Sequence, residues 1–246
     1  MFCGIACCID VSHRSLRIGG WVPFSSVDHP GHLAAVVFVQ GCPWRCGYCH
    51  NPHLQSRHYG ASSKQRAWDQ VLSWLEARRG LLDSVVFSGG EPLVDPCLPQ
   101  AVMQVKALGF QVAMHTAGMY WDRLRKVSSQ LDWVGLDIKA SLDDDTDYDR
   151  VTGVAQSAWA VRQSLYVLRQ SGVAFECRTT VHPSWSDTAS LERTARSLAA
   201  RGAPHWVIQR ARAPQCHGAL PVVDPDFPSP DLMERLRALL PSLSLR

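Results

Sequence analysis

From about residue 33 onwards, short near-continuous apolar runs alternate with stretches whose apolar residues fall at helical spacing. Leu33 to Gln40 carries Val36, Val37, Phe38 and Val39 in succession, the pattern of a strand buried on both faces. The next segment, Lys64 to Arg79, spaces Trp68, Val71, Leu72 and Leu75 along one face of a helix, with Ser62 or Ser63 as candidate N-cap and Gly80 as candidate stop. The alternation then repeats. Strand Ser84 to Phe87 precedes a helix near Leu98 to Leu108 that stops at Gly109, and strand Gln111 to His115 precedes a helix near Trp121 to Ser128. Trp133 to Ile138, Ala174 to Val181 and His205 to Gln209 are the last predicted strands, with Gly172 and Gly202 at the breaks. Six βα units predict an α/β fold with a mostly parallel sheet, right-handed crossovers and outer helices. Periodicity leaves an open doubly wound sheet and a full or partial barrel as alternatives. In both, functional groups gather at the C-terminal ends of the strands.

Length and composition fit that outline. The 246 residues suit one α/β domain over residues 17–246, preceded by a Cys-containing extension over residues 1–16. Hydrophobic content of 46%, charged content of 19% and a mean hydropathy of −0.10 suit a soluble chain with a sizeable core. The net charge is +3, and the 25 Lys and Arg residues form no run able to track a phosphate backbone, so nucleic acid is not an implied partner. Met1 to Asp10 lacks the basic and apolar regions of a signal peptide, and no window approaches a membrane span, so the chain reads as cytosolic.

Nine cysteines in such a chain point to metal ligation or thiol chemistry rather than to a disulfide framework. Cys3, Cys7 and Cys8 form one group, read as free thiols. Cys42, Cys46 and Cys49 form the other, in Gly41-Cys42-Pro43-Trp44-Arg45-Cys46-Gly47-Tyr48-Cys49-His50-Asn51-Pro52, a C-x3-C-x2-C loop directly after the first predicted strand. Thiolates hold a 4Fe-4S cubane one per iron, so three of them leave one iron open to an outside ligand. A zinc site would need a fourth ligand, with His50 or a distant Cys available, and its usual pair of C-x2-C motifs is missing. Cys46 to His50 also reads as the haem attachment pattern C-x-x-C-H, which leaves Cys42 unexplained.

Other candidates follow the later strands. Ser88-Gly89-Gly90-Glu91 joins a pair of glycines, at which backbone can approach a ligand closely, to a carboxylate. Asp137 and Lys139 are two apart and share a strand face, as a structural ion pair or as a functional one. Arg178, Thr180 and His182 share another face, and Gln209 ends the last strand; Arg178, His182 and Gln209 are rim candidates, with His115 and Thr116 after the third strand.

The cysteine loop resembles that of radical S-adenosylmethionine enzymes, whose C-x3-C-x-aromatic-C motif Cys42, Cys46, Tyr48 and Cys49 match without adjustment. The resemblance implies a partial (βα)6 barrel, a 4Fe-4S cluster on the three cysteines, and S-adenosyl-L-methionine chelating the open iron. It also implies Tyr48 against the adenine, unless that ring serves loop packing, and a Gly-Gly-Glu segment, Gly89, Gly90 and Glu91, at the methionine ammonium. Ser26-Val27-Asp28-His29-Pro30-Gly31, Gln40-Gly41-Cys42, His50-Asn51-Pro52, Gly135 to Lys139 and Arg178-Thr179-Thr180-Val181 are similar to the activating proteins of anaerobic ribonucleoside-triphosphate reductase. That resemblance implies an oxidoreductase fed one electron by flavodoxin or ferredoxin, with Lys139 near the cofactor and Asp137 ordering the site. A 5′-deoxyadenosyl radical would then take hydrogen from a glycine of the partner glycyl-radical enzyme. A radical enzyme acting on a small molecule is the main alternative, and a non-enzymatic zinc or electron-transfer module the third. Related activases often carry Asp-Thr-Asn-Gly where this chain has His115-Thr116-Ala117-Gly118. No cysteine lies between Cys49 and Ser88, so a ferredoxin-like insertion is excluded there.

Overall fold

Eight strands form one sheet in the order of the chain, β1-β2-β3-β4-β5-β6-β7-β8. The computed structural model describes residues 15–57, 68–212, 220–221 and 226–246. The predicted helix cap at Ser62 or Ser63 and the thiols of Cys3, Cys7 and Cys8 lie outside the described residues. The strands are β1 (Ile18–Ser25), β2 (Ala34–Val39), β3 (Ser84–Gly89), β4 (Gln111–Thr116), β5 (Trp133–Asp137), β6 (Ala174–Val181), β7 (Trp206–Arg210) and β8 (Leu243–Leu245). From β2 to β8 every neighbouring pair is parallel, whereas β1 runs antiparallel to β2.

Sequential order decides between the two predicted architectures. A doubly wound sheet reverses its strand order at a switch point, while successive right-handed crossovers without reversal put every helix on one face and curl the sheet into a barrel wall. The fold is therefore a partial barrel. The six predicted strands are β2 to β7. The sheet gains β1 and β8 at its edges, which the reading of six units omitted.

The helices α1 (Trp68–Glu76), α2 (Leu98–Ala107), α3 (Trp121–Val127), α4 (Asp145–Thr152), α5 (Ser157–Ser171), α6 (Thr188–Ala200) and α7 (Pro230–Leu239) supply the outer layer. The main core lies between them and the sheet, where Val37, Phe87, Met114, Leu136 and Ile208 meet Leu75, Val102, Leu165 and Leu198. Alternate residues of the same strands face the lumen, so Ala34, Val36, Phe38, Val86, Ala113 and Trp133 form a second, smaller cluster there. Helix ends follow local chemistry. Asp144 accepts from the Asp147 N–H to cap α4, and Asp187 and Ser229 cap α6 and α7 in the same way. Among the described residues no helix is long and apolar enough to cross a membrane.

Two imidazoles are buried in the lumen without a counter-charge that outweighs the burial. Burial, helped by His32, takes His29 down to about 4, and burial helped by Arg178 takes His115 to about 4. Their folded values lie below the ordinary 6.5, so the unfolded chain binds more protons between about 4 and 6.5, and stability falls as pH drops through that window. Glu91, which burial pushes up to about 7, acts in the opposite sense. His29→Phe keeps an aromatic ring beside Trp133 and should reduce the stability lost between pH 7 and pH 5 by about 2 kcal/mol. Urea unfolding at the two pH values checks this; an unchanged loss would mean that His29 is protonated in the fold.

Candidate active site

The cysteine loop leaves β2 and is held by backbone contacts on three sides. Gly41 N–H donates to Leu54 O at 2.8 Å, Cys42 N–H to Gln55 O at 3.0 Å, and Arg45 N–H to Thr152 O, at the end of α4, at 2.8 Å. The Arg45 guanidinium closes the turn on Cys42 O and Trp44 O. Cys42, Cys46 and Cys49 are all free and half-buried, and Cys49 N–H donates to Cys46 O at 3.1 Å. Burial, with Glu91 adding to it, pushes the Cys42 thiol up to about 12, and burial raises Cys46 as well. Metal coordination is the usual means of keeping such a sulfur deprotonated.

Among the described residues no three His, Cys, Asp or Glu side chains are close enough together to share one ion. A cubane is held differently, one thiolate to each iron. His50, the local candidate for a fourth zinc ligand, instead accepts the Arg212 N–H on Nε2 at 3.1 Å.

The glycine pair packs closely against the cysteine loop. Gly89 has φ +124°, and a Cβ there would overlap the backbone of Val39. A Cβ on Gly90 would overlap the Gly41 carbonyl and stand 2.9 Å from Leu54 O. Gly90 N–H donates to Val39 O at 3.0 Å and Glu91 N–H to Gly41 O at 2.9 Å. The pair is thus explained by close approach to the cysteine loop, which it joins to β3. Glu91 is fully buried, and its carboxylate accepts from Leu93 N–H, Thr116 Oγ1–H and Ala117 N–H at 3.1, 2.7 and 2.9 Å. It ties the end of β3 to the end of β4.

Beyond β5, Lys139 Nζ lies 2.8 Å from Asp137 Oδ2, so the predicted shared face is real. Burial would raise the Asp137 carboxyl, but Lys139 outweighs it and holds the group below its ordinary range; Lys139 is held well above its own. The ammonium stands 5.6 Å from the centre of the Tyr48 ring, which draws the β5 pair and the cysteine loop together. Tyr48 is buried, and its hydroxyl has no protein partner. Ser88, Gln209 and Arg178 occupy lumen-facing register positions, Ser88 opposite Phe38 and Gln209 opposite Thr180.

Arg178 crosses β5 towards β4. Its Nε donates to Glu176 Oε1 at 2.7 Å, its guanidinium lies 4.7 Å from the Trp133 ring centre, and Nη1 is 2.9 Å from His115 Nε2. Gly135 makes room, since a Cβ there would stand 2.9 Å from the guanidinium carbon. The same His115 nitrogen is 2.7 Å from the Asp28 carbonyl. A neutral imidazole nitrogen can donate to that carbonyl or accept from Arg178, not both. His115 therefore always leaves one neighbour unserved, and Arg178 Nη2 is buried without a partner.

His182 follows β6; its Nδ1 accepts the Ser184 N–H at 3.1 Å within the loop that leads to α6, and its Nε2 meets Pro221 O, beyond β7, at 2.9 Å. Sequence reasoning passed over what that loop delivers: Trp185, packed on Gly47 of the cysteine loop. It also passed over Tyr148, which accepts the Lys139 N–H at 3.1 Å and meets Trp44 edge-on at 6.2 Å. Each of these contacts joins positions far apart in sequence, and no local spacing signals them.

A partial barrel with a three-thiol loop after its first parallel strand, and a buried Asp–Lys pair at the same end, defines a cofactor-dependent enzyme scaffold. The family model described as the Radical SAM superfamily matches residues 36–198, well over half of the sequence. The chain belongs to the radical SAM superfamily. It is homologous to glycyl-radical enzyme activating enzymes. It is 32% identical over 167 residues to the pyruvate formate-lyase-activating enzyme of Clostridium pasteurianum, covering 66% of this chain and 67% of that one. A Methanocaldococcus jannaschii protein, assigned provisionally by name to glycyl-radical enzyme activation, is 26% identical over 188 residues, with 74% and 75% covered. Among solved structures, Streptococcus suis SuiB bound to precursor peptide SuiA superposes with a TM-score of 0.64 at 12% identity, covering 86% of this chain. The chain spans about half the length of SuiB, 48%. Escherichia coli QueE gives a TM-score of 0.57 at 16% identity, with 96% of this chain and 95% of QueE covered. At these identities the likeness is one of fold.

Proposed function

We propose that Cys42, Cys46 and Cys49 hold a 4Fe-4S cluster, and that the protein activates a glycyl-radical enzyme, anaerobic ribonucleoside-triphosphate reductase. The observation that carries the reading is the meeting of the cysteine loop, the Asp137–Lys139 pair and the unpartnered Tyr48 hydroxyl at one end of the barrel. Three sulfurs fit a cubane with one open iron, and a buried hydroxyl without a partner suits a polar cofactor beside it. When bound and reduced, the cluster supplies the electron that cleaves S-adenosylmethionine to a 5′-deoxyadenosyl radical.

The remaining work falls to the protein's own side chains. Asp137 stays ionised and holds Lys139 Nζ in place, so that a positive charge is fixed beside Tyr48 without rotamer search. Ser88, Gly89, Gly90 and Glu91 join the cofactor contacts, and the same Gly-Gly-Glu segment keeps the two loops in register. Phe38, Val86 and Trp133 line the lumen with apolar surface that keeps water from a reactive intermediate. Arg178 faces the same lumen with its Nη2 unpartnered among the described residues, which suits a carbonyl of a peptide segment, and His115 and Gln209 lie on the same side. Flavodoxin or ferredoxin is the electron donor in this reading.

The test pairs purified, anaerobically reconstituted protein with adenosylmethionine, a reductant and either of two partners. Incubation with the anaerobic ribonucleotide reductase should give the electron paramagnetic resonance doublet of a glycyl radical, and incubation with pyruvate formate-lyase should not. A doublet on pyruvate formate-lyase alone would overturn the choice of partner; none on either would overturn the activase reading.

A further inference from the structure

Trp185 is a large side chain from outside the barrel wall seated on Gly47, between two of the cysteines. It arrives on the loop after β6, where Trp185 N–H and Ser186 N–H both donate to His182 O at 2.8 Å, and His182 in turn accepts the Ser184 N–H. Its indole lies flat enough on Gly47 that a Cβ at that position would run into the six-membered ring and stand 2.7 Å from Cε2, the carbon bonded to Nε1. Tyr48, the next residue, meets the indole edge-on with centroids 6.4 Å apart. The Arg150 guanidinium stands 5.4 Å from the ring centre and donates to Trp185 O at 3.0 Å, while Asp147 holds that arginine at 2.6 Å.

The indole N–H of this ring is buried and has no acceptor. Tryptophan has a donor and no acceptor at that position, so the group gains nothing from the protein, and leaving it dry and unpaired is costly. Gly47 sits between Cys46 and Cys49. The indole thus packs on the segment that carries two of the three thiols, and sulfur bound to iron carries negative charge.

We infer that the Trp185 indole N–H is a hydrogen-bond donor to a sulfur of the iron–sulfur cluster and raises the cluster's reduction potential. The inference rests on the assignment of the cluster to Cys42, Cys46 and Cys49. Hydrogen bonds to cluster sulfurs and exclusion of solvent are two of the means by which a protein sets such potentials. A donor favours the reduced, more negative state, so its loss lowers the potential. Trp185 is a positioning and tuning residue in this scheme; it transfers nothing itself.

Trp185→Phe removes the N–H together with the outer indole carbons that touch Gly47, so the potential is read alongside the nitrogen coupling below, which reports the N–H alone. Anaerobically reconstituted full-length protein and variant should hold the same iron and sulfide, and a redox titration followed by electron paramagnetic resonance should place the variant's cluster at a more negative midpoint. An equal or higher midpoint at equal iron content overturns the inference. A second measurement needs no variant: in protein labelled with 15N-tryptophan, the reduced cluster should show a hyperfine coupling to an indole nitrogen, and its absence overturns the inference too. Wild-type protein that takes up no iron overturns the cluster assignment itself, a failure told apart from the other two by metal content.

Discussion

Cys42→Ala is expected to lose adenosylmethionine cleavage by more than the roughly 10–100-fold that a change behind a metal ligand costs, because it removes a ligand outright. Iron content after reconstitution should fall with it. The fold should survive, since the loop is held by backbone bonds from Gly41, Cys42 and Arg45 to Leu54, Gln55 and Thr152, none of which uses the thiol. The stability cost should be about 1 kcal/mol, that of an ordinary half-buried substitution. Iron and sulfide analysis, 5′-deoxyadenosine formation and a urea midpoint together check the result. A variant that cleaves adenosylmethionine at the wild-type rate would remove Cys42 from the cluster.

Glu91→Ala should cost more in stability than any of the cysteine changes. The substitution leaves Leu93 N–H, Ala117 N–H and Thr116 Oγ1–H without their buried acceptor, and each such loss costs roughly 1–3 kcal/mol. Relief of the buried carboxyl's own burial penalty offsets part of this, so the net cost should be about 2–4 kcal/mol. Cofactor cleavage should fall as well, because the segment that Glu91 holds carries the Gly90 seam against Gly41. Glu91→Gln keeps one acceptor oxygen and should fall between the two. Urea unfolding at neutral pH checks the order; an alanine variant as stable as the wild type would mean that water satisfies these donors, and Glu91 would lose its place as the tie between β3 and β4.

Strands β2 and β3 were legible because each is buried on both faces and reads as a near-continuous apolar run, and β4 to β7 because short β-rich runs alternate there with helical spacing. β1 was not, because Gly19, Gly20 and Pro23 interrupt it and half of its residues are exposed. β8 is three residues long, too short for periodicity to register. Helix α4, with seven of the eight residues of DTDYDRVT charged or hydroxyl-bearing, buries only Tyr148, Val151 and Thr152 and carries little apolar pattern. In the site, the shared strand face of Asp137 and Lys139 was legible from their spacing. The packing of Gly89 and Gly90 against Val39 and Gly41 was not, because a sequence shows that a Cβ is missing without showing what stands where it would be. Nor were the contacts of His182, because strand alternation gives the face of a residue only while the strand lasts, and β6 ends at Val181.

The seam between Gly41, Leu54, Gln55, Gly90 and Thr152 holds the cysteine loop through backbone hydrogen bonds that use no thiol, unlike small domains that fold only around their ion. In the proposed reading the cluster is then a replaceable part: air that destroys it should leave the loop's scaffold in place, and recovery after an oxygen pulse should follow the supply of iron and sulfide.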